Sequence, residues 1–515
     1  MRQPHNVKQT VKSSEGPRQR GELIIGCDRL GLTVPARRLQ ALSRVQENSM
    51  PRTSVITGGT VVTDYGEFRA DVIINGEQIA GIVSDSSDVN YADRIDATGL
   101  LVMPGGIDPH THFREPEEFT KEGFTTGGAG AAAGGITTVV EMPQADPTTI
   151  TADQLQAKIE QVSRTGIVDM ALWGGIVGEP LQDPDEIAAM ADAGAAGFKS
   201  FMASTSPSFP AVNDDQLLAA MRTVAATGLP YGLHAESDTL VRAGLERMRK
   251  AGRSDPMAHA ESVPPIVESA AVNTALLFAQ ETGCWVHICH CASPVALRLV
   301  AEARAKGIMV TVETCPQYLT LNTEDLVAQK GFARCEPALR DQQEVDAIWP
   351  YVLDETIDYL CSDHCGFTAD QKQAGDSNIF NAPNGITGIQ TLFPVFYDAA
   401  VNKRGMSRSQ FVRQIATNAA QIFGLYPRKG TIAVGSDADL VLFDPNEHWV
   451  IRSEDLRHKQ QWTPWEGKEV TGRVRRTIRR GETIYDETGS GQAMMLARPG
   501  SGRFLPRGYG AQLPN

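Results

Sequence analysis

The clearest pattern in the chain is a series of short apolar segments separated by longer stretches with helical periodicity. Eight segments of strand length lie at residues 104–112, 137–143, 168–176, 196–202, 229–236, 284–291, 308–315 and 357–363. Amphipathic stretches such as ADQLQAKIEQVSR and PVALRLVAEARAKG lie between them. Continuous apolar strands that alternate with helices are typical of a parallel sheet that is buried on both faces. Eight repeats predict an α/β fold, a closed (β/α)8 TIM barrel over residues 104–434.

The two ends of the chain have a different pattern. Between residues 51 and 103, β-branched residues alternate with Gly, Asn and Asp turn signals, and GSDADLVLFDP and VRRTIRRGETIYD have the same character near the other end. Such segments predict short strands. We therefore expect a small β-sandwich domain built from both chain ends, residues 51–103 and 435–488. Residues 1–50 are predicted to be a flexible, dispensable N-terminal extension, and residues 489–515 a C-terminal tail.

Composition narrows the class of partner. Of the 515 residues, 41% are hydrophobic and 21% charged, which is typical of a globular protein. The net charge of −14 disfavours binding to nucleic acid or to an anionic membrane surface. We find no apolar run near the roughly 20 residues that a membrane span needs. Eight cysteines are too few for a disulfide scaffold in so long a chain. A cytoplasmic enzyme with a small-molecule substrate fits these features best.

Two histidines stand at the end of the first apolar segment. His110 and His112 lie two positions apart in GGIDPHTHFREP. In a strand, this spacing puts both imidazoles on one face, where they can share a metal ion. The alternative is that they are ordinary polar residues at the mouth of a barrel. Asp108, one pleat earlier, is better explained as a residue that caps a loop, and we do not count it as a ligand.

Lys199 lies in the fourth segment, in AAGFKSFMAS, with apolar or small neighbours on both sides. A buried ammonium group is costly unless it is paired, neutral or modified. A neutral amine can react with carbon dioxide to form a carbamate, an anion that is able to bridge two cations. The alternative is a lysine that extends to the rim or pairs with a carboxylate.

The fifth and sixth segments add further histidines. His234 ends the fifth segment in GLPYGLHAES, and CWVHICHCAS contains His287 and His290. Because these two differ by an odd number of positions, only one can point into the barrel. Barrel enzymes hold their sites at the C-terminal ends of the strands, so we choose His290 and treat His287 as a packing or supporting residue.

Asp363 completes the set at the end of the eighth segment, in IDYLCSDHCGF. A carboxylate directly after apolar residues is expensive unless it meets a cation or a proton in transit, although a loop-capping role is the alternative. Together, four histidines, one lysine and one aspartate stand at strand ends of one predicted barrel. Six such groups suit two divalent cations better than one, because a single catalytic zinc takes three protein ligands and a water.

At these residues the chain resembles the amidohydrolase superfamily, and within it the cyclic amidohydrolases: allantoinase, hydantoinase, dihydropyrimidinase and dihydroorotase. The motifs that carry the resemblance are HTH, GFKSFM, LHAES, CHCAS, ETCPQYL, SDHCG, PNG and GSDADLVLFDP. The resemblance implies that His110 and His112 bind the more buried metal ion. It implies that His234 and His290 bind a second ion, and that carboxylated Lys199 bridges the two. The ions are expected to be Zn²⁺, with Mn²⁺ or Co²⁺ as alternatives.

The resemblance also implies a reaction. A metal-bridging hydroxide would attack the amide carbonyl of a small cyclic substrate, with Asp363 as both ligand and general base. Thr314 and Asn384 match positions that orient the cyclic amide. Ser204 stands where some hydantoinases have an oxyanion-stabilising tyrosine. Relatives of this kind are usually homodimers or homotetramers.

The substrate itself is less sharply indicated. Segments such as GGITTVVEMPQADPTT look most like allantoinases and hydantoinases, so a cyclic ureide of the allantoin or hydantoin type is the first choice. Arg114, in H-x-H-x-R, resembles the arginine with which dihydroorotases bind a substrate carboxylate, or is a solvated rim residue. Gln144 and the Gly366-Phe367 pair depart from the dihydroorotase pattern. A dihydroorotase or dihydropyrimidinase, and a non-catalytic scaffold, are the alternatives.

Overall fold

The computed structural model describes residues 53–115, 122–179, 181–204, 209–487 and 493–508. The predictions for residues 1–50 and for parts of the C-terminal tail lie outside these ranges. The strands, in chain order, are β1 (Thr53–Thr57), β2 (Thr60–Val62), β3 (Glu67–Arg69), β4 (Asp71–Asn75), β5 (Gln78–Val83), β6 (Asp93–Asp96), β7 (Leu101–Pro104), β8 (Gly106–His112), β9 (Ile136–Glu141), β10 (Asp169–Gly175), β11 (Gly197–Phe201), β12 (Tyr231–His234), β13 (Val286–Ile288), β14 (Val310–Thr314), β15 (Tyr359–Leu360), β16 (His364–Cys365), β17 (Leu440–Val450), β18 (Glu469–Arg479), β19 (Glu482–Asp486) and β20 (Met494–Met495).

Helices alternate with the strands of the central region. They are α1 (Phe124–Ala133), α2 (Ala152–Thr165), α3 (Pro184–Asp192), α4 (Asp214–Thr227), α5 (Asp238–Lys250), α6 (Pro256–Ser262), α7 (Pro265–Thr282), α8 (Pro294–Ala305), α9 (Gln317–Thr320), α10 (Thr323–Gln329), α11 (Gln342–Leu353), α12 (Ala369–Gln373), α13 (Leu392–Tyr397), α14 (Arg408–Val412) and α15 (Asn418–Ile422). Local sequence fixes their ends: Thr151 caps α2 through the amide of Gln154, and Asn213 and Gln216 form a capping box on α4.

The barrel is a parallel sheet that closes on itself. Strands β8 to β14 lie side by side in sequence order. The eighth segment, residues 357–363, contains the short strand β15, which pairs with β14. The short strand β16 follows directly after this segment and pairs with β8, so consecutive residues join both edges of the sheet. The prediction of a (β/α)8 barrel is confirmed, and the carboxyl ends of all its strands meet at one mouth.

Two further sheets form the predicted β sandwich. One has the order β5-β4-β1-β6, and the other the order β20-β19-β18-β17-β7-β2-β3. In the second sheet β17 pairs antiparallel with β7, which brings the two ends of the chain together. A separate apolar core that includes Ile56, Val72, Leu440 and Ile478 lies at these sheets. The prediction of a sandwich from both chain ends is confirmed, whereas the domain boundaries at residues 103, 435 and 488 stay predictions.

Part of the C-terminal tail is also built into the fold. β20 pairs antiparallel with β19, and Phe504 bridges to Met170 in β10. The amide of Met170 donates to the carbonyl of Arg503 at 2.8 Å. The described tail residues therefore add a strand to the sheet that contains β19 and also pair with β10 of the barrel.

One helical stretch has the length and apolar composition of a membrane span. It runs over Pro256–Thr282 and contains α6 and α7. Of its most apolar 18-residue window, 56% is buried inside the protein. Val272 and Ala275 of this stretch pack in the main hydrophobic core. The stretch Pro256–Thr282 is therefore packed like helices of a protein core.

Candidate metal centre

The six predicted metal ligands lie at the mouth of the barrel. His110 and His112 end β8, Lys199 lies in β11, and His234 ends β12. His290 follows β13, and Asp363 lies between β15 and β16. All six residues are buried, with exposed fractions of 9% or less. Strands that are distant in sequence thus bring six polar groups into one apolar interior.

Two histidines converge on Asp363. The Nε2 atom of His110 lies 3.3 Å from Oδ1 of Asp363, and Nε2 of His112 lies 3.2 Å from the same oxygen. The imidazole rings of the two histidines are 5.2 Å apart between centroids. Two imidazole nitrogens and one carboxylate oxygen therefore surround a common point, which is a donor set suited to a divalent transition metal.

A second pair of imidazoles lies beside the first. The Nδ1 atom of His234 is 3.0 Å from Nε2 of His290. On its other side, His234 Nε2 lies 2.8 Å from a carboxylate oxygen of Glu236. A carboxylate that accepts a hydrogen bond from the N–H of one ring nitrogen leaves the other nitrogen unprotonated and free to bind a metal. The rings of His110 and His290 are 5.3 Å apart, so the two pairs are neighbours.

Lys199 lies between these groups without an ordinary partner. Its side chain is fully buried, and its Nζ atom has no hydrogen-bond partner within the described part of the chain. The ring of Phe201 lies 5.1 Å from Nζ and stacks on His234. A buried amine with no partner is costly, so its position requires an explanation beyond packing.

Burial sets the protonation of the centre. Desolvation, reinforced by nearby cations, holds the pKa of His112 and of His290 well below the usual value of a histidine. Burial also lowers the pKa of His110, although Glu313 opposes this effect. Neutral imidazole is the form that binds metal ions. Burial raises the pKa of Asp363, which makes its carboxylate a better proton acceptor.

Three of the six non-glycine residues with positive φ in the described ranges lie at this centre. Arg114, His290 and Asp363 have φ values of 58°, 36° and 48°. These values fall in the left-handed region, which non-glycine residues rarely adopt and which clusters at functional sites. Two of the three residues are predicted ligands.

A network fixes the position of Asp363. Asp108, which we excluded as a ligand, accepts hydrogen bonds from the amides of Ser362 at 3.1 Å and His110 at 3.3 Å. Burial raises the pKa of Asp108 to about 7.

The residue after Asp363 is also held by hydrogen bonds. The ring of His364 accepts from the amide of Gly388 at 3.2 Å and lies 3.3 Å from a carboxylate oxygen of Glu122. The strand that carries Asp363 is thus tied to its neighbours.

A cavity of about 650 Å³ opens onto the centre. Arg114 and Asn384, two of the predicted substrate contacts, line it. The other two predicted contacts lie elsewhere. The hydroxyl of Thr314 donates to the carbonyl of Cys291 at 2.7 Å, and Ser204 lines a second cavity of about 840 Å³.

Comparisons with known proteins agree with this arrangement. Residues 101–484 match the profile described as the amidohydrolase family. The chain belongs to the amidohydrolase family. An allantoinase of Rubrobacter xylanophilus is 38% identical over 449 residues, which are 86% of this chain and 97% of that protein. An L-hydantoinase of Paenarthrobacter aurescens is 35% identical over 455 residues, covering 88% of this chain and 98% of the relative.

Solved structures of similar proteins superpose closely on this amidohydrolase. The L-hydantoinase (dihydropyrimidinase) of Arthrobacter aurescens superposes with a TM-score of 0.85 at 33% identity, covering 89% of this chain and 100% of that one. A dihydropyrimidinase of Brevibacillus agri superposes with a TM-score of 0.83 at 31% identity and the same coverage. The resemblance stated from the sequence motifs is therefore confirmed.

One charged residue of the amidohydrolase centre was missed in the sequence. Glu313, in β14, accepts from His110 Nδ1 at 2.5 Å and from the amide of His290 at 3.1 Å. Its other oxygen lies 3.3 Å from His287 Nε2. Burial alone would raise the pKa of Glu313, but His110 and His287 bring it well below the usual value. A carboxylate inside the apolar run VTVETC was the available signal, and it is the same signal that identified Asp363.

The cavity wall contains two further residues, Arg334 and Glu336, that no motif indicated. Gln144, which departs from the dihydroorotase pattern, also lines the cavity. Burial and the neighbouring Glu236 raise the pKa of Glu336 to about 7. Glu336 follows no strand and belongs to no periodic pattern, so its place in the cavity became visible only in the folded chain.

Proposed function

We propose that the protein is a binuclear metal-dependent hydrolase that opens the amide bond of a cyclic ureide of the allantoin or hydantoin type. The observation that carries the proposal is the convergence of His110 and His112 on Asp363 beside the His234–His290 pair and an unpartnered Lys199. The allantoinases and hydantoinases among the relatives support the substrate class.

The donor atoms fit two divalent cations. His110, His112 and Asp363 would hold one, and His234 and His290 would hold the other, with Lys199 as a carboxylated bridge. Carboxylation would turn the buried amine, which has no hydrogen-bond partner in the described ranges, into an anion between two cations. Zn²⁺ suits imidazole and carboxylate ligands, and Mn²⁺ or Co²⁺ are alternatives. When bound, such ions would polarise a carbonyl and lower the pKa of a coordinated water.

Asp363 is the proposed general base. Its Oδ1 atom lies at the meeting point of two imidazoles at the floor of the cavity. This position would let the carboxylate take the proton of the attacking water. It then returns that proton to the ring nitrogen as the amide bond breaks. The product is an open-chain N-carbamoyl or related acid.

Residues that line the cavity would orient the substrate. Asn384 presents an amide, which can donate to a ring carbonyl or accept from a ring N–H. The neighbouring Arg114 offers a guanidinium group. Thr314 and Ser204 stay predictions as substrate contacts, and so do a cytoplasmic location and a homodimeric or homotetrameric assembly.

One observation favours a second candidate, a dihydroorotase-type activity. The guanidinium of Arg114 lines the cavity, donates to Cys365 Sγ at 3.3 Å and lies 5.5 Å from the centre of the Phe367 ring. Within the described ranges, Arg114 forms no ion pair with a carboxylate, so its charge is available to a substrate carboxylate. A negatively charged ring would then be preferred over a neutral one.

The proposal is tested by offering four rings to the protein loaded with metal. Allantoin, hydantoin, dihydrouracil and dihydroorotate are assayed side by side, and ring opening is followed by the appearance of the open-chain acid. We expect allantoin or a hydantoin to have the highest kcat/KM. Highest turnover of dihydroorotate would favour the second candidate. A protein that binds no metal and opens none of the rings would contradict both and favour a scaffold.

A further inference from the structure

One side of the cavity carries a concentrated set of polar groups outside the metal centre. We call it the polar wall, and it consists of Arg334, Glu336 and Asn384, all of which line the cavity. Asn384 and Arg334 both act electrostatically on the carboxyl group of Glu336. The wall thus combines a carboxyl group, an amide and a guanidinium.

A buried lysine holds the polar wall in place. Lys372 is fully buried, and its Nζ atom donates to the carbonyls of Arg334 at 3.0 Å, Pro383 at 2.9 Å and Gly385 at 2.7 Å. The amide of Gly385 also donates to the carbonyl of Arg334 at 3.1 Å. The two chain segments of the wall are therefore fixed to each other before any ligand arrives, which reduces the ordering cost of binding.

Some hydrogen-bonding capacity of the polar wall is unused. Counting only the described residues, Oδ1 of Asn384 and Nε of Arg334 are buried and have no hydrogen-bond partner. One is an acceptor and the other a donor. Buried polar atoms without partners are costly, so a wall with these atoms favours a ligand group that carries both N–H donors and a carbonyl.

A ureido group has this combination. Its two nitrogens each direct an N–H to the same side, parallel to one another, and its carbonyl points the opposite way. Parallel N–H pairs match the two oxygens of a carboxylate, as in the bidentate pairing of arginine with a carboxylate. The bare hydantoin ring lacks such a substituent, whereas allantoin is the same ring with a ureido group attached.

We propose that the polar wall recognises a ureido substituent on the substrate ring, with the Glu336 carboxylate accepting both parallel N–H groups. Glu336 is then a specificity-determining residue that selects ureido-substituted rings over bare rings. The inference rests on the proposed function, because it assumes that the ring itself is held at the metal centre.

The experiment compares two substrates that differ only in the substituent. The ratio of kcat/KM for allantoin to kcat/KM for hydantoin is measured for the metal-loaded full chain, for Glu336→Gln and for Glu336→Asp. Glutamine keeps the size but offers one acceptor and one donor, so we expect the ratio to fall about 10- to 100-fold. Aspartate keeps the charge at shorter reach, and we expect it to retain more of the ratio. Glu281→Gln, on the exposed surface of α7, is the matched control and should keep the wild-type ratio.

Each outcome decides the inference. An unchanged ratio in Glu336→Gln would overturn it, whether kcat/KM is retained for both rings or falls equally for both. If the wild type opens neither ring, the proposed function fails, but the ratio of calorimetric dissociation constants for the two rings still decides the inference. A wild type that binds allantoin no better than hydantoin would then overturn it.

Discussion

Replacing Lys199 by methionine should have opposite effects on stability with and without metal. Methionine has a similar length and no charge, so it fills the same buried space. In the metal-free protein the substitution removes an amine that has no hydrogen-bond partner within the described ranges. Burial of such a group costs about 1–3 kcal/mol. We therefore expect Lys199→Met to raise the free energy of unfolding of the metal-free protein by about that amount.

The metal-loaded protein should respond in the other direction. A ligand that binds only the folded state at 100 times its Kd stabilises that state by about 2.7 kcal/mol. If carboxylated Lys199 joins two ions that are each held at 100 times their Kd, the loss of both from the methionine variant removes about 5.4 kcal/mol, which exceeds the gain of about 1–3 kcal/mol from removing the amine. The wild type would then be more stable than the variant with metal and less stable without it.

The assay is urea unfolding of both proteins after chelation and after reloading with Zn²⁺, with the metal content measured on the same samples. Wild-type metal content together with higher stability of the variant in both conditions would show that Lys199 is a core residue with no role in binding. Destabilisation of the chelated variant would show that the amine has a favourable partner, contrary to the structure. For Lys199→Ala, recovery of activity with added short carboxylic acids would support the bridging role independently.

Three further predictions concern the cavity and its base. Asp363→Asn should lower kcat at least about 100-fold while mass spectrometry still finds bound metal, and retained turnover would contradict the role of base. Arg114→Gln should reduce kcat/KM for dihydroorotate relative to hydantoin about 10-fold or more, whereas an unchanged ratio would make Arg114 a rim residue. Lys372→Met removes a donor from three carbonyls, of which that of Arg334 keeps the Gly385 amide, and should lower the free energy of unfolding by about 1–3 kcal/mol in urea titrations. An unaltered unfolding curve would show that Lys372 does not hold the wall.

The barrel was predictable because its strands are buried on both faces. Each of the eight apolar segments overlaps a strand of the barrel, but the last short strand, β16, begins just after the eighth segment. Residues 361–363 separate β15 from β16, and Asp363 adopts a positive φ there. Hydrophobicity indicates that a segment is buried, but it carries no information on a single strained residue inside the segment.

The candidate ligands were predictable for a related reason. Polar residues such as Lys199 and Asp363 are conspicuous in apolar strand segments, because burial of a charge needs a specific compensation. Glu313 had the same signal and was overlooked. The structure brings the six groups together, while their roles as ligands stay predictions.

The polar wall and the path of the tail could not be predicted in this way. Arg334, Glu336 and Asn384 come from irregular segments, and their proximity depends on Lys372 joining backbone groups that are distant in sequence. Similarly, the pairing of β20 with β19 and of Phe504 with Met170 depends on contacts between remote parts of the chain. Local periodicity records burial and turn formation but not which irregular segments meet.

The central claim is that six groups at the mouth of the barrel hold two divalent cations. It is tested most directly by the metal content of the full-length protein, determined by plasma mass spectrometry after reloading and removal of excess metal. We expect about two ions per chain in the wild type, and about one in a variant that carries both His234→Asn and His290→Asn. Fewer than one ion per chain in the wild type, or an unchanged content in the double variant, would contradict the account.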